Sequence, residues 1–334
     1  MRSNQILDNP FPFSNTNKRY YTLSYYYKEK YGQKVCKVPL DAGFTCPNRD
    51  GKTGFGGCTF CSSQGSGDSI LARRSSLAIQ FEEGLERMRR KWPNALGVAY
   101  FQAYSNTYAD LETLKAVYDP FFEREDVLEI SIATRADCLN DEIVEYLSEM
   151  AKRKPVWMEL GLQSIFDETM KPLNRGHSSA LVFEWIEKLK KTPIRSCVHL
   201  INGLPNETLE MMKESVKKVS EVHPDAIKIH MLHVVKNSIM GEQYLVSPFP
   251  LLERDEYVDL IVSQLETLPM DMIVERLTGD AIQKELIEPE WTLKKTIVLN
   301  QIDQRMVERN TWQGKLTQTA GSTASKSKNK VLDL

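Results

Sequence analysis

No stretch of eighteen apolar residues occurs in the 334-residue chain, so no membrane span is expected. The opening Met1-Arg-Ser-Asn-Gln has no apolar core of the kind a secretory signal needs. Cysteine is scarce. Of six residues, three fall within one sixteen-residue stretch, unlike the spread framework of a disulfide-stabilised secreted domain. A cytoplasmic setting is expected. An excess of charge is missing too: 43 Lys and Arg against 45 Asp and Glu give a formal net charge of −2, which by itself suggests no polyanionic partner. What remains is a chain 41% hydrophobic and 26% charged, enough to bury one barrel-sized core or two smaller ones.

The informative stretch runs from Cys46 through Cys58 to Cys61, on a segment rich in glycine and poor in regular structure. Its glycines let the backbone turn sharply enough for separated thiolates to converge. Three soft ligands suit an iron–sulfur cluster or zinc. A structural zinc would want a fourth Cys or His at ordinary finger spacing, and the nearest candidates are Cys36, Cys138 and His177. Three ligands without a fourth point to a [4Fe–4S] cluster with one open iron. Three buried free cysteines are the plain alternative, but such residues usually sit in apolar runs.

Between Lys18 and Lys37 stand six cations (Lys18, Arg19, Lys28, Lys30, Lys34, Lys37) against one acid, Glu29. Six tyrosines, at 20, 21, 25, 26, 27 and 31, are interleaved with them. Cations for phosphates and rings for bases make a single-stranded nucleic-acid surface, with Lys18, Arg19, Lys28, Lys30 and Lys34 as its contacts. The competing reading is an arm, over 1–33, that plugs one end of a domain.

From residue 34 short β-branched and aromatic runs alternate with helical patterns. Strands are expected at Lys34–Leu40, Gly97–Gln102, Leu128–Ala133, Val156–Leu162, Cys197–Ile201 and Ala226–Leu232, each followed by an amphipathic stretch such as Glu207–Val222. Repetition about six times implies a parallel sheet with right-handed crossovers, too short to close as an eight-stranded barrel. A last strand and turn are read over Asp271–Asp280 and a closing helix over Leu293–Glu308. The Ser/Thr/Lys-rich end lacks apolar periodicity, so a disordered tail is expected over 313–334.

A first strand, a three-cysteine loop and a six-fold βα pattern resemble the radical S-adenosylmethionine (SAM) superfamily. Eleven residues separate Cys46 from Cys58, a wide spacing that resembles the branch related to the Elongator catalytic subunit, and within it a compact bacterial group. The resemblance implies an open (β/α)6 partial TIM barrel of the radical SAM type, spanning 34–312 with an N-terminal arm and a C-terminal closing helix. It also implies that Cys46, Cys58 and Cys61 ligate a [4Fe–4S] cluster whose open iron binds SAM, and that reductive cleavage gives a 5′-deoxyadenosyl radical. A flavodoxin- or ferredoxin-type electron donor is implied with it.

Further matches imply cofactor contacts. The segment after the second strand, with Gln102 and Tyr104, occupies the place of the SAM amino-group loop but has no glycine, so only backbone contacts can be inferred. Thr134-Arg135-Ala-Asp137 resembles the branch's Thr-Arg-Pro-Asp element. Gln163 matches the glutamine that contacts the SAM ribose, and Arg175 the arginine that pairs with its carboxylate. His199 stands where porphyrin-oxidising relatives carry aspartate. His230, His233, Cys36, Cys138 and Cys197 read as core, and Glu275, Arg276 and Asp280 as either substrate-facing or an ion-paired turn. The branch points to tRNA. The chain is too short for the Elongator acetyltransferase part, so the expected reaction is remodelling of a 5-substituent on wobble uridine, such as carboxymethylaminomethyl. A small metabolite or protein side chain as substrate, or a cluster-bearing sensor without turnover, are the alternatives.

Overall fold

A computed structural model describes residues 11, 13, 18–65, 70 and 75–319. Helix α1 (Leu23–Tyr31) leads into β1 (Val35–Leu40), followed by α2 (Leu77–Arg89), β2 (Leu96–Phe101), α3 (Leu111–Glu123), β3 (Val127–Thr134), α4 (Asp141–Ala151) and β4 (Val156–Gln163). The chain continues through α5 (Asp167–Met170), α6 (Ser179–Leu189), β5 (Arg195–Asn202), α7 (Leu209–Val222), β6 (Ala226–Met231), β7 (Val234–Val235), α8 (Ile239–Val246) and α9 (Arg254–Thr267). It ends with β8 (Ile273–Arg276), β9 (Leu286–Glu288), α10 (Lys295–Glu308) and α11 (Lys315–Thr319). Seven strands form one parallel sheet in the order β1-β2-β3-β4-β5-β6-β8, and β7 pairs antiparallel with β9 beside it. This is the expected open partial barrel, with β8 adding a seventh strand to the six repeating units.

The strands alternate by face. Outward side chains such as Val38, Ala99, Ile130, Met158, Val198 and Ile227 are fully buried beneath the helices. Loops entering those helices end in short polar side chains, Asp110, Asn140, Ser178 and Thr208, each accepting a first-turn amide. Such caps hold the rim loops at fixed helix N-termini, so a loop after each strand starts and stops at a rigid point.

The N-terminal arm is a plug. Helix α1 lies across the strand N-termini, where Tyr26 and Tyr27 pack with Val35, Val98, Trp157, Cys197, Ala226 and Ile273. Lys30 pairs with buried Glu129 at 2.7 Å, and Glu129 also accepts from Tyr31 Oη (2.6 Å) and Trp157 Nε1 (2.8 Å). Lys18 pairs with Asp303, and Arg19 donates to the Thr311 carbonyl at 3.3 Å. The nucleic-acid assignment for this arm is therefore corrected. Its tyrosines are mostly packed, and the exposed Lys28 and Lys34 stand at the base, the end opposite the cysteine loop; Lys34 lies 4.7 Å over the Trp92 ring. Residues 1–10, 12 and 14–17 of the arm lie outside the described residues.

The tail assignment also moves. Gln313 is fully buried: its side chain accepts from Tyr21 N at 2.8 Å and donates to Met272 O at 2.8 Å, while its own amide donates to Arg19 O at 2.9 Å. It ties both termini to the start of β8, and the chain continues into α11; residues 320–334 lie outside the described part. Trp157→Ala is expected to cost about 3–5 kcal/mol of stability by removing the plug's largest partner. Tyr27→Phe removes a buried hydroxyl with no partner among the described residues, and is expected to be neutral or stabilising. Urea unfolding of both variants checks the plug.

Candidate active site at the cysteine rim

The loop that leaves β1 carries all three clustered cysteines over the C-terminal strand ends, where function in parallel sheets is built. Each is half-buried. Cys61 hydrogen-bonds Cys58, and that bond brings the Cys58 thiol down to about 7 against the opposing effect of burial, with Arg135 and Asn48 assisting. Asn48 Nδ2 lies 3.6 Å and Arg135 Nη1 3.9 Å from Cys58 Sγ. The same hydrogen bond, with burial, pushes the Cys61 thiol well above its usual range. Neighbouring thiols with amide and guanidinium donors aimed at one sulfur form a thiolate-stabilising set, which fits a cluster ligand group.

A clasp holds this loop to the turn after β4. Asn48 is fully buried and donates to the carbonyls of Asn174 and, at 3.3 Å, Arg175. Asn174 answers by donating to Phe55 O (3.0 Å) and Gly57 O (2.8 Å), and Thr59 N donates to Leu173 O at 3.0 Å. Gly176, at φ +83°, is required here: a Cβ would stand 2.6 Å from Asn48 Oδ1. Two more braces come from Met240 N, which donates to Thr59 O (2.8 Å), and Ser63 N, which donates to Asn237 O (3.0 Å). Asn48 was not singled out in the sequence. Its position two residues after Cys46, as the first amide side chain on the cysteine loop, is the signal that could have found it.

The predicted cofactor residues divide into three groups. Tyr104, at φ +60°, lays its ring over Gly65 and donates from Oη to Ser63 O at 2.8 Å; Gln102 N donates to Leu40 O at 3.2 Å. Both sit at the rim, Tyr104 as a brace of the cysteine loop. Arg135 forks onto Asp137 at 2.8 and 2.7 Å and reaches Cys58, so it is beside the rim cysteines. Gln163, at φ +66°, turns its amide back over Gly161, where a Cβ would stand 2.8 Å from Nε2. That places the amide on the lumen face near the rim.

Arg175 is corrected. Its guanidinium is 2% exposed and donates to Leu162 O (2.6 Å), Ser164 O (2.9 Å) and His177 O (2.8 Å), with an ion pair to Asp167. Four donor contacts pin the turn after β4, the same turn that Asn48 clasps, so in this structure the guanidinium serves as a strut of that turn.

His199 is also relocated, to a polar waist below the rim. Each strand of the main sheet sends one polar side chain to this level: Lys37, Tyr100, Ser131, Glu159, His199, Lys228 and Glu275. Glu159 is fully buried and meets Lys37 (2.6 Å), Lys228, Ser131 and His199 Nε2 (2.8 Å). Burial opposes its ionisation, but the Lys228 and Lys37 ammoniums hold its carboxyl well below the usual range. Burial and Lys228 lower His199, and burial and His199 lower His230 well below its usual range. Glu159, Cys197 and His199 bring three ligand atoms within 4.8 Å of one another, but the Lys37 and Lys228 ammoniums already neutralise that carboxylate. Of the β8 trio, Glu275 looks into the barrel, whereas Arg276 and Asp280 pair at 2.9 Å and Lys295 joins them.

An open parallel barrel with soft ligands on its C-terminal rim and a polar lumen beneath is the architecture of a metallocofactor enzyme. The Radical SAM superfamily model matches residues 46–219 and the Radical_SAM C-terminal domain model residues 224–308. The chain belongs to the radical SAM superfamily, and it is an enzyme of that class, whose members use an iron–sulfur cluster and SAM. It is 46% identical over 311 residues to the Bacillus subtilis protein YtqA, covering 93% of this chain and 97% of that one. It is 32% identical over 281 residues to the Escherichia coli protein YhcC, covering 84% and 89%. A shorter match, 28% over 155 residues, covers 45% of this chain and 28% of the tRNA uridine(34) acetyltransferase of Methanocaldococcus infernus. The fold resembles the archaeal Elp3 structure from the same organism with TM-score 0.62 at 17% identity, covering 84% of this chain and 64% of that one.

Arg175→Ala is expected to destabilise the metal-free protein, because the Leu162 and Ser164 carbonyls lose buried donors at about 1–3 kcal/mol each. A residue serving only as a ligand would leave that stability unchanged, and urea unfolding of the apoprotein separates the two. Asn48→Ala is expected to lower iron retention on desalting while leaving all three cysteines in place.

Proposed function

We propose that Cys46, Cys58 and Cys61 are the three ligands of a [4Fe–4S] cluster with one open iron for SAM, and that the enzyme remodels a 5-substituent on the wobble uridine of tRNA, with carboxymethylaminomethyl as the leading candidate. The observation that carries the cofactor assignment is the clasped rim loop, in which donors from Asn48 and Arg135 converge on Cys58 sulfur. When bound, the cluster and SAM together supply a carbon-centred radical that abstracts hydrogen. The protein's part is to hold the loop rigid, keep the lumen closed at its base by α1, and shield the reacting atoms from water. Gln163, on the lumen face, remains a candidate for the SAM ribose, and Arg135 for its rim contacts.

Support for tRNA comes from the partial likeness to the archaeal wobble-uridine acetyltransferase. The rim offers a surface suited to single-stranded RNA. Phe55 is 78% exposed, Lys52 lies 5.1 Å over the Tyr108 ring, and Arg49 lies 5.3 Å over Tyr104. Rings for bases and cations for phosphates thus stand around the cysteine loop itself. A flavodoxin- or ferredoxin-type donor completes the partner set.

Anaerobically reconstituted protein is expected to carry about four irons per chain. With dithionite it should form 5′-deoxyadenosine, and Cys→Ala at 46, 58 or 61 should abolish both. Stoichiometric zinc without iron would overturn the cofactor assignment. Nucleoside profiling of tRNA from a deletion strain tests the substrate: the unprocessed wobble uridine should accumulate, and an unchanged profile would sink the tRNA reading. Lys52→Glu is expected to weaken tRNA binding about tenfold and to reduce the salt slope by about one.

A further inference from the structure

Barrel interiors are ordinarily filled by branched apolar side chains in layers. This waist holds four full charges instead, two lysines and two glutamates, with side-chain exposures of 14% and 7% for Lys37 and Lys228 and 0% and 1% for Glu159 and Glu275. Taking such groups out of water costs several kcal/mol each, and apolar replacements of similar volume are often as stable or more so. Stability therefore does not explain the layer.

The hydrogen bonds of the layer leave particular groups open. Lys228 donates to Glu159 Oε2 and to Tyr100 Oη at 3.2 Å, and its ammonium stands 3.2 Å from Glu275 Oε2 as an ion pair. Lys37 donates to Glu159 Oε1 and to Glu275 Oε2, both at 2.6 Å, which leaves one of its three N–H groups free among these contacts. Glu275 Oε1 is buried without a partner among the described residues. One cationic donor and one anionic acceptor are thus left open, on β1 and β8, the two edge strands that face each other across the seam. Above them the lumen admits solvent: His199, His230, Gly161 and Gln163 are all partly exposed, while the outward residues of the same strands are sealed.

Charge balance narrows the choice. The waist sums to zero, since the two lysines cancel the two glutamates. A ligand group carrying a single charge would leave that charge uncompensated where water is scarce. A group carrying both signs leaves none.

We propose that this waist receives a zwitterionic substituent, an ammonium and a carboxylate on one short chain, with the carboxylate meeting Lys37 and the ammonium meeting Glu275 Oε1. The inference rests on the wobble-uridine reading, since a carboxymethylaminomethyl group carries both charges, and it adds the residues that would select that group.

The test uses the reconstituted full-length protein and calorimetry with three free nucleosides: 5-carboxymethylaminomethyluridine, 5-aminomethyluridine and 5-carboxymethyluridine. Wild type is expected to bind the first at least about tenfold more tightly than either singly charged analogue. Glu275→Gln should lower affinity for the two amines and leave carboxymethyluridine within about twofold. Lys37→Met should do the reverse. Iron content and urea unfolding show whether each variant is folded, and the wild-type ranking stands without any variant. Equal affinities for the three nucleosides, or equal losses across all three in both variants, would make the waist structural and overturn the proposal. N-ethylglycine, ethylamine and propionate repeat the comparison without a base. If N-ethylglycine alone binds while none of the nucleosides does, the zwitterion site stands and the uridine reading falls. If tRNA profiling confirms wobble uridine but no charge preference is found, the waist proposal alone falls.

Discussion

A parallel sheet of seven strands leaves two edges that do not meet, and almost every distinctive feature of this chain answers that open seam. Unpaired strand edges expose donors and acceptors that must be covered. At the base, α1 wedges between β1 and β8, with Thr22 bridging to Val274 and Val274 N donating to Tyr21 O at 2.8 Å. Gln313 then locks the entering and leaving chain to the same edge. At mid-height the Lys37–Glu275 ion pair joins β1 directly to β8 across the gap. At the rim the β1 loop reaches over to α8, Met240 N donating to the Thr59 carbonyl at 2.8 Å. Base, waist and rim are thus three solutions to one geometric problem, and the last two coincide with the candidate site.

What the sequence made legible follows from which signals are local. The alternating strands and helices, the cysteine triad and its position after the first strand are patterns of neighbours, and each appears in the structure where it was read. The tyrosine-rich arm was ambiguous because its composition fits two surfaces equally well. Six rings among cations describe an RNA platform, yet Glu129, invisible as a partner from ninety-odd residues away, is what draws in Lys30, Tyr31 and Trp157. Arg175 misled for a related reason. Its motif position was readable, but the carbonyls of Leu162 and Ser164 that occupy its guanidinium are exposed to it only by the turn after β4.

The waist was the least legible feature. Lys37, Glu159, Lys228 and Glu275 each stand in a mostly apolar strand, and a single charge there reads as a solvated face. Only the curled sheet brings these positions within ion-pair distance of one another. Asn48 was hidden differently. A polar residue on a glycine-rich loop looks solvated, whereas its side chain is fully buried against the backbone of a turn about 126 residues on.

The polar lumen also bears on where the stability of the fold resides. With charges at mid-height, the apolar core must lie outside the sheet, and it does: the largest cluster runs from Val38 and Phe101 through Met158 and Val198 to Tyr257 and Ile302, beneath the helices. An interior freed from packing duty can hold groups chosen for a ligand, and mutations there need not unfold the shell. The rim follows the same division. Its loop is fastened to the turn after β4 by the backbone-directed amides of Asn48 and Asn174, with Phe60 adding an apolar contact.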